Sequence, residues 1–153
     1  MKYLTVSLTL LAVIFTLQLS SDAQKSDAQK IAVIVHPSND QKIDLNTLRR
    51  IWERSELKWK NGRSILPLDL SAKADLRGAF SKKVLGKSPN QMKEHYTKVR
   101  IKATAKPPQP KVLKSAKAVV MVVSKLKSAI GYMPLADAKQ QKAVKIALEL
   151  ELK

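Results

Sequence analysis

Between Arg63 and Leu85 the chain reads RSILPLDLSAKADLRGAFSKKVL, and this stretch limits the possible folds more than any other. Ile65 to Leu70 is a short apolar run broken by Pro67 and Asp69, the pattern of a strand reaching its end. Leu76, Ala79, Phe80 and Val84 then recur at helical spacing, which predicts a helix beginning near Asp75. Ser71-Ala72-Lys73-Ala74 remains as a short loop between them. A strand, a short loop and a helix start present unpaired backbone N–H groups and a positive dipole end to an anion. Ser71 would add a hydroxyl and Lys73 a charge. In a plainer reading Asp75 or Ser71 caps the helix, and the two readings are compatible.

The flanking segments supply further strands and helices. Ile31 to Val35 (IAVIV) reads as a buried strand, and His36-Pro37-Ser38-Asn39 as the turn after it. Asp44 is a good N-cap for a helix with Leu45, Leu48, Ile51 and Trp52 on its buried side and Arg49 and Arg50 opposite. Asn61-Gly62 marks a turn beside Trp59, whose ring is expected to fold back on the core. Gly86 ends the central helix. Ser88-Pro89-Asn90-Gln91 opens the next with a capping box and Pro at the first helical position, and Met92, Tyr96 and Val99 form its inner stripe. Gly86-Lys87-Ser88 does not extend to a nucleotide phosphate loop, because Ser81 stands where that motif needs Gly.

Lys102 to Pro110 (KATAKPPQP) predicts an extended surface connection. Ser115 is expected to cap a helix with Val119, Val122, Val123 and Leu126 facing inward. Ala129 to Met133 reads as a strand whose Gly131 allows close approach. Val144, Ile146, Leu148 and Leu150 alternate as one face of a final strand. Strands interleaved with helices predict an α/β sandwich with a largely parallel or mixed sheet.

Residues 1–23 pattern as a secretory signal peptide: Lys2, an apolar run from Leu4 to Leu19, and Ser21-Asp22-Ala23 as a cleavage site near Ala23. Without Cys after the run, a bacterial lipoprotein anchor is excluded. Ser21 to Lys25 repeats as Ser26 to Lys30, so residues 24–30 read as a flexible leader and 31–153 as a single domain. With no Cys, the core must hold that domain without disulfides. The net charge is +17; losing residues 1–23 removes one cation, Lys2, and one anion, Asp22, and leaves it unchanged. Lys82 to Lys127 holds thirteen Lys or Arg residues against one acid, Glu94. Such a field attracts polyanions, anionic lipid surfaces or small anions. Lys predominates over the bidentate Arg and aromatics are few, which argues against specific nucleic-acid recognition.

Two histidines and no Cys leave too few ligands for a transition-metal site. His95 reads as a partly exposed helix residue, and His36, following a strand end, as a weak ligand candidate. Nucleophile-elbow and metalloprotease motifs and paired carboxylates are missing, and neither an enzyme nor a cofactor is expected.

Four segments together resemble the phosphate-binding component of ABC transporters. They are Leu48-Arg49-Arg50-Ile51-Trp52, Trp59-Lys60-Asn61-Gly62-Arg63, Leu76-Arg77-Gly78-Ala79-Phe80 with Val84 to Ser88, and Ala129-Ile130-Gly131-Tyr132. The resemblance runs from Ile31 to about Leu148. It implies a single-lobe periplasmic-binding-protein-like (type II) three-layer α/β sandwich with a mixed sheet. It also implies a periplasmic address, phosphate or a related oxyanion as ligand, and an ABC transporter permease as partner. Full-length members close two lobes around phosphate, and this chain has room for one. Where their anion loop is Ser/Gly-rich, this chain has Ser71 to Asp75, and Asp75 would repel a dianion. The expected grip is the backbone at Lys73, Ala74 and Asp75, with Ser71, Lys73 and Arg77 as side-chain donors and Ser38 across the sheet. The alternative is an interaction module that has lost the ligand and docks an anionic partner on its basic face.

Overall fold

The computed structural model describes residues 30–102 and 107–152 of the chain. Along them run β1 (Lys30–Val35), α1 (Leu45–Glu53), β2 (Leu66–Leu70), α2 (Asp75–Phe80, prolonged by a π-helical turn over Ser81–Leu85) and α3 (Pro89–Lys102). Then come β3 (Lys111–Leu113), α4 (Ala116–Lys125), β4 (Ala129–Pro134), α5 (Leu135–Ala138) and β5 (Lys145–Glu151). The strands join in the order β3-β2-β4-β1-β5. β1 is antiparallel to β4 and β5, whereas β2 is parallel to β3 and β4, so the sheet is mixed as expected. The expected signal peptide and residues 24–29 of the leader lie outside the described residues. Lys30, placed in that leader, is the first residue of β1. Among the described residues no helix is long and apolar enough to cross a membrane.

Gly131 and Tyr132 are neighbours on β4 and therefore point to opposite faces of the sheet. On the Gly131 side α4 comes so near that a Cβ would lie 2.3 Å from Val119 Cγ1, which is why this position carries no side chain. On the other side the Tyr132 ring stacks on Phe80 at 3.9 Å and tilts against Trp52 at 6.0 Å, drawing α2 and α1 onto the sheet. Helices on both faces make three layers. Each such ring contributes about 1.5–3 kcal/mol by leaving water. β1 lies between β4 and β5 in the middle layer, and Ile31 to Val35 are all buried. That double burial explains a continuous apolar run instead of alternation.

Local signals set most of the helix starts. Asp44 accepts from the Thr47 N–H at 2.7 Å, Ser115 accepts from the Ala118 N–H at 3.2 Å, and Ser88 and Gln91 bond reciprocally at 2.8 and 3.2 Å. Gly86 closes the π-helical turn with φ 63, and Gly62 turns with φ 80 beside a buried Trp59 whose Nε1 donates to the Ser128 carbonyl. The central helix is different. Its N-cap is Ala74, which makes no side-chain hydrogen bond, so neither Asp75 nor Ser71 caps it. The Ser71 hydroxyl instead accepts from the Lys73 N–H within the loop.

Four further expectations are corrected. Leu126 is 44% exposed, because the backbone has already left the helix at φ −113 there. Val99 is only half-buried. Pro107 and Pro110 are buried, and the segment after them forms β3 by parallel pairing with β2 (residues 103–106 lie outside the described residues). In β5 the register shifts between its two halves: Leu148 pairs with Val33, but Ile146 pairs with Ile34. Val33 and Ile34 face opposite ways, so Ile146 and Leu148 do not share a face.

Candidate functional site

β2 carries one acid in an otherwise apolar strand, LPLDL. Alternation sends Leu68 and Leu70 to the α4 side and Asp69 to the side of α2. The parallel register, with Pro67 beside Ile130, brings Asp69 level with Tyr132. There the Tyr132 hydroxyl donates to Asp69 Oδ1 at 2.5 Å and the Leu70 N–H donates to it at 3.0 Å. Arg77, the third residue of α2, places Nε 2.8 Å from the same oxygen, with both side chains about 95% buried. Its Nη1 donates to Ser81, one helical turn further on, also buried. The result is a closed polar knot between sheet and helix.

Burial dominates its electrostatics. It pushes the Asp69 carboxyl above its ordinary value, against the opposing pull of Arg77, Tyr132 and the Leu70 N–H. Burial, followed by the Asp69 charge, raises the Tyr132 and Tyr96 phenols, so both stay neutral donors.

Above the knot lies a cleft of ≈ 210 Å³ between the end of β2, the first turns of α3 and the approach to β3. Asp69 and Arg77 reach its floor, Ala72 its rim, and Asn90, Lys93, Tyr96 and Gln109 its walls. Tyr96 is 5% exposed, and its hydroxyl faces the Arg77 guanidinium without a well-formed hydrogen bond, because that guanidinium is committed to Asp69 and Ser81. Arg54, at the left-handed end of α1 with φ 64, is buried behind Tyr96, and its Nε and Nη1 are without partners. Burial pulls its guanidinium below its ordinary value. Arg54 does not line the cleft itself, whose charged side chains are Asp69, Arg77 and Lys93.

The expected site residues are only partly brought together. Ser71, Lys73 and Asp75 are exposed along the corner where β2 gives way to α2. The Lys73 and Ala74 N–H groups are spent within the loop, donating to the Ser71 hydroxyl and carbonyl. Arg77 points inward to Asp69, so its charge is balanced inside the protein. Ser38 is at the opposite end of the sheet. β1 is antiparallel to β4 and β2 is parallel to it, so the turn after β1 and the loop after β2 emerge at opposite ends of the strands. Ser38 is held there by His36, whose Nδ1 lies 2.8 Å from its hydroxyl. His95 Nε2 lies 3.0 Å from the Glu53 carbonyl, a contact between helices.

Asp69, Tyr132, Tyr96 and Lys93 went unassigned in the sequence. The one available signal was an acid inside a buried strand, since such a group requires a partner.

No protein-family model matches the sequence, and neither does any curated protein. Solved structures share the fold. An ABC-type phosphate transport receptor from Vibrio cholerae superposes with a TM-score of 0.56 at 16% identity, over 76% of this chain and 44% of that one. A Clostridium perfringens protein described as a phosphate ABC transporter substrate-binding protein, solved with bound phosphate, gives 0.58 at 18% identity, over 76% and 43%. PstS from Borrelia burgdorferi gives 0.57 at 19% identity, over 76% and 45%. The chain thus has the fold expected from the resemblance and spans less than half the length of each of these proteins.

Proposed function

We propose that the chain is an exported, periplasmic, single-lobe relative of phosphate-binding proteins. It holds phosphate or a related oxyanion at the corner of β2, α2 and α3, in association with ABC-type phosphate transport, and it catalyses no reaction. The observation that carries this reading is the cleft of ≈ 210 Å³ at that corner, in a fold shared with a protein solved with bound phosphate. Lys93, the Tyr96 hydroxyl and the first free N–H groups of α2 at Asp75 are its donors, with Ser71 and Lys73 on the rim. Arg77 contributes by holding Asp69 in place. The Asp75 carboxylate faces the same corner and keeps the affinity for a dianion low.

Isothermal titration of the purified chain with phosphate tests this reading. Millimolar or tighter binding, lost in Lys73→Ala/Lys93→Ala, is expected; no heat with phosphate or arsenate would sink it.

A second reading is favoured by the Asp69–Arg77 pair, which uses internally the one guanidinium the corner could have offered. In that reading the chain keeps the fold without the small ligand and docks an anionic partner on the basic face from Lys82 to Lys127. Salt-sensitive binding of polyphosphate, with silence towards phosphate, would select it.

A further inference from the structure

α4 packs on the Gly131 side of the sheet and buries little of itself: of its ten residues only Val119 and Val123 are buried. Lys117, Met121 and Lys125, four residues apart, form one exposed line along its outer side. Ala118, Val120 and Val122 are half-buried shoulders to that line, and Met121 stands out between them at 54% exposed. An exposed Leu126 follows at the helix end. The outer surface of α4 is thus an apolar ridge about 15 Å long. Lys114 and Lys117 are near one end of it, and Lys125 and Lys127 near the other.

The charge around the ridge has one sign. Between Glu94 and Asp137 the sequence has no acid. Among the described residues none of the four lysines makes a salt bridge. Asp137 lies across a cavity of ≈ 280 Å³ from Lys117 and Val120, to one side of the ridge. Glu149 and Glu151 are further away, on β5, two strands beyond β4. After Arg100 every cation of the chain is Lys.

We propose that this ridge rests α4 on the surface of an anionic lipid bilayer, with Met121, Val120 and Val122 in the headgroup layer and the four lysines on lipid phosphates. Three observations favour a bilayer over other anions. Lys is a hydrated point charge that suits headgroups without fixed geometry, whereas recognition in a fixed pocket uses the Arg fork. An apolar ridge flanked by lysines enters a headgroup layer while the charged ends stay at its surface. A soluble polyanion such as polyphosphate has no apolar layer to receive Met121. The inference does not rest on phosphate binding, because the oxyanion corner is on the Tyr132 side of the sheet.

The chain has no Cys, so one environment-sensitive fluorophore can be placed at will. Nitrobenzoxadiazole attached to Met121→Cys in the full chain reports on the ridge. The same label on Glu94→Cys, at an exposed position of α3, is the control, and circular dichroism checks both variants for folding. With vesicles of equimolar phosphatidylcholine and phosphatidylglycerol, emission from position 121 is expected to brighten and shift to the blue. Position 94 should not respond, and neither should position 121 with phosphatidylcholine alone. Adding Lys117→Gln/Lys125→Gln should raise the vesicle concentration needed about thirtyfold. An unresponsive position 121, an equal response at position 94, or an unchanged titration without the two lysines overturns the inference. So does the same blue shift with polyphosphate or polyglutamate in place of vesicles. A shift that grows with protein concentration and needs no vesicles gives the ridge to a second copy and overturns it as well.

Discussion

Replacing Arg77 by Ala separates the inward geometry of this residue from a solvent-facing one. In the structure Nε is 2.8 Å from Asp69 Oδ1, and the two side chains are 5% and 4% exposed. Removing the guanidinium leaves a buried carboxylate held only by Tyr132 and one backbone N–H. Breaking one half of a buried pair costs about 3–5 kcal/mol. With a urea slope of ~2 kcal/mol/M, the unfolding midpoint at pH 7 should fall by about 2 M. The pH dependence follows from the raised Asp69 value. Folded Asp69 keeps its proton to higher pH than the unfolded chain, whose value is near 3.8. Between the two values the folded state binds more protons, so stability falls as the pH rises through the window. Losing Arg77, the largest opposing influence, raises Asp69 further. The deficit of Arg77→Ala should therefore be smallest in acid and grow towards neutral pH. Asp69→Asn in the Arg77→Ala background should recover part of it, because the unpaired charge is gone. A pH-independent loss under about 1 kcal/mol, the scale of an exposed pair, would refute the buried pair.

Gly131→Ala places a methyl group against Val119 and should cost about 1–3 kcal/mol in urea unfolding. Val119→Ala, destabilising alone, should partly rescue it, and strict additivity would show that α4 does not pack there. Ser88→Ala removes one half of the capping box and should lower stability by about 1 kcal/mol, whereas Ser71→Ala, at a residue that caps no helix, should change it by less than half of that. Arg54→Met deletes guanidinium N–H groups that have no partner but keeps much of the buried stem, so thermal unfolding should shift little or rise. A loss above about 2 kcal/mol would reveal an anion or water bound to Arg54.

Signals that act over a few residues were readable in advance. Asp44, Ser88 and Ser115 cap helices because a short polar side chain can reach an N–H two or three positions along, whatever the rest of the chain does. The turn at Asn61-Gly62 and the buried run at Ile31 are equally local. What could not be read depends on partners distant in sequence. β3 exists because β2 lies alongside it, and three residues after a proline announce no strand. Ser38 belongs to the opposite end of the strands only because β1 runs against β4. Arg77 turns inward because Asp69 is on the neighbouring strand, while helix periodicity would place a cation outside. The succession of strand, loop and helix start at that corner was legible; the way its groups are committed to one another was not.

The shift of register in β5 bears on how the molecule behaves in crowded solution. A seven-residue terminal strand with Ile146 and Leu148 would ordinarily template growth by neighbouring molecules. The extra residue near Ala147 bends that margin, so an incoming straight strand would fall out of step after two or three bonds. Among the described residues β5 therefore presents a blunted margin, and stacking into fibrils through it is discouraged.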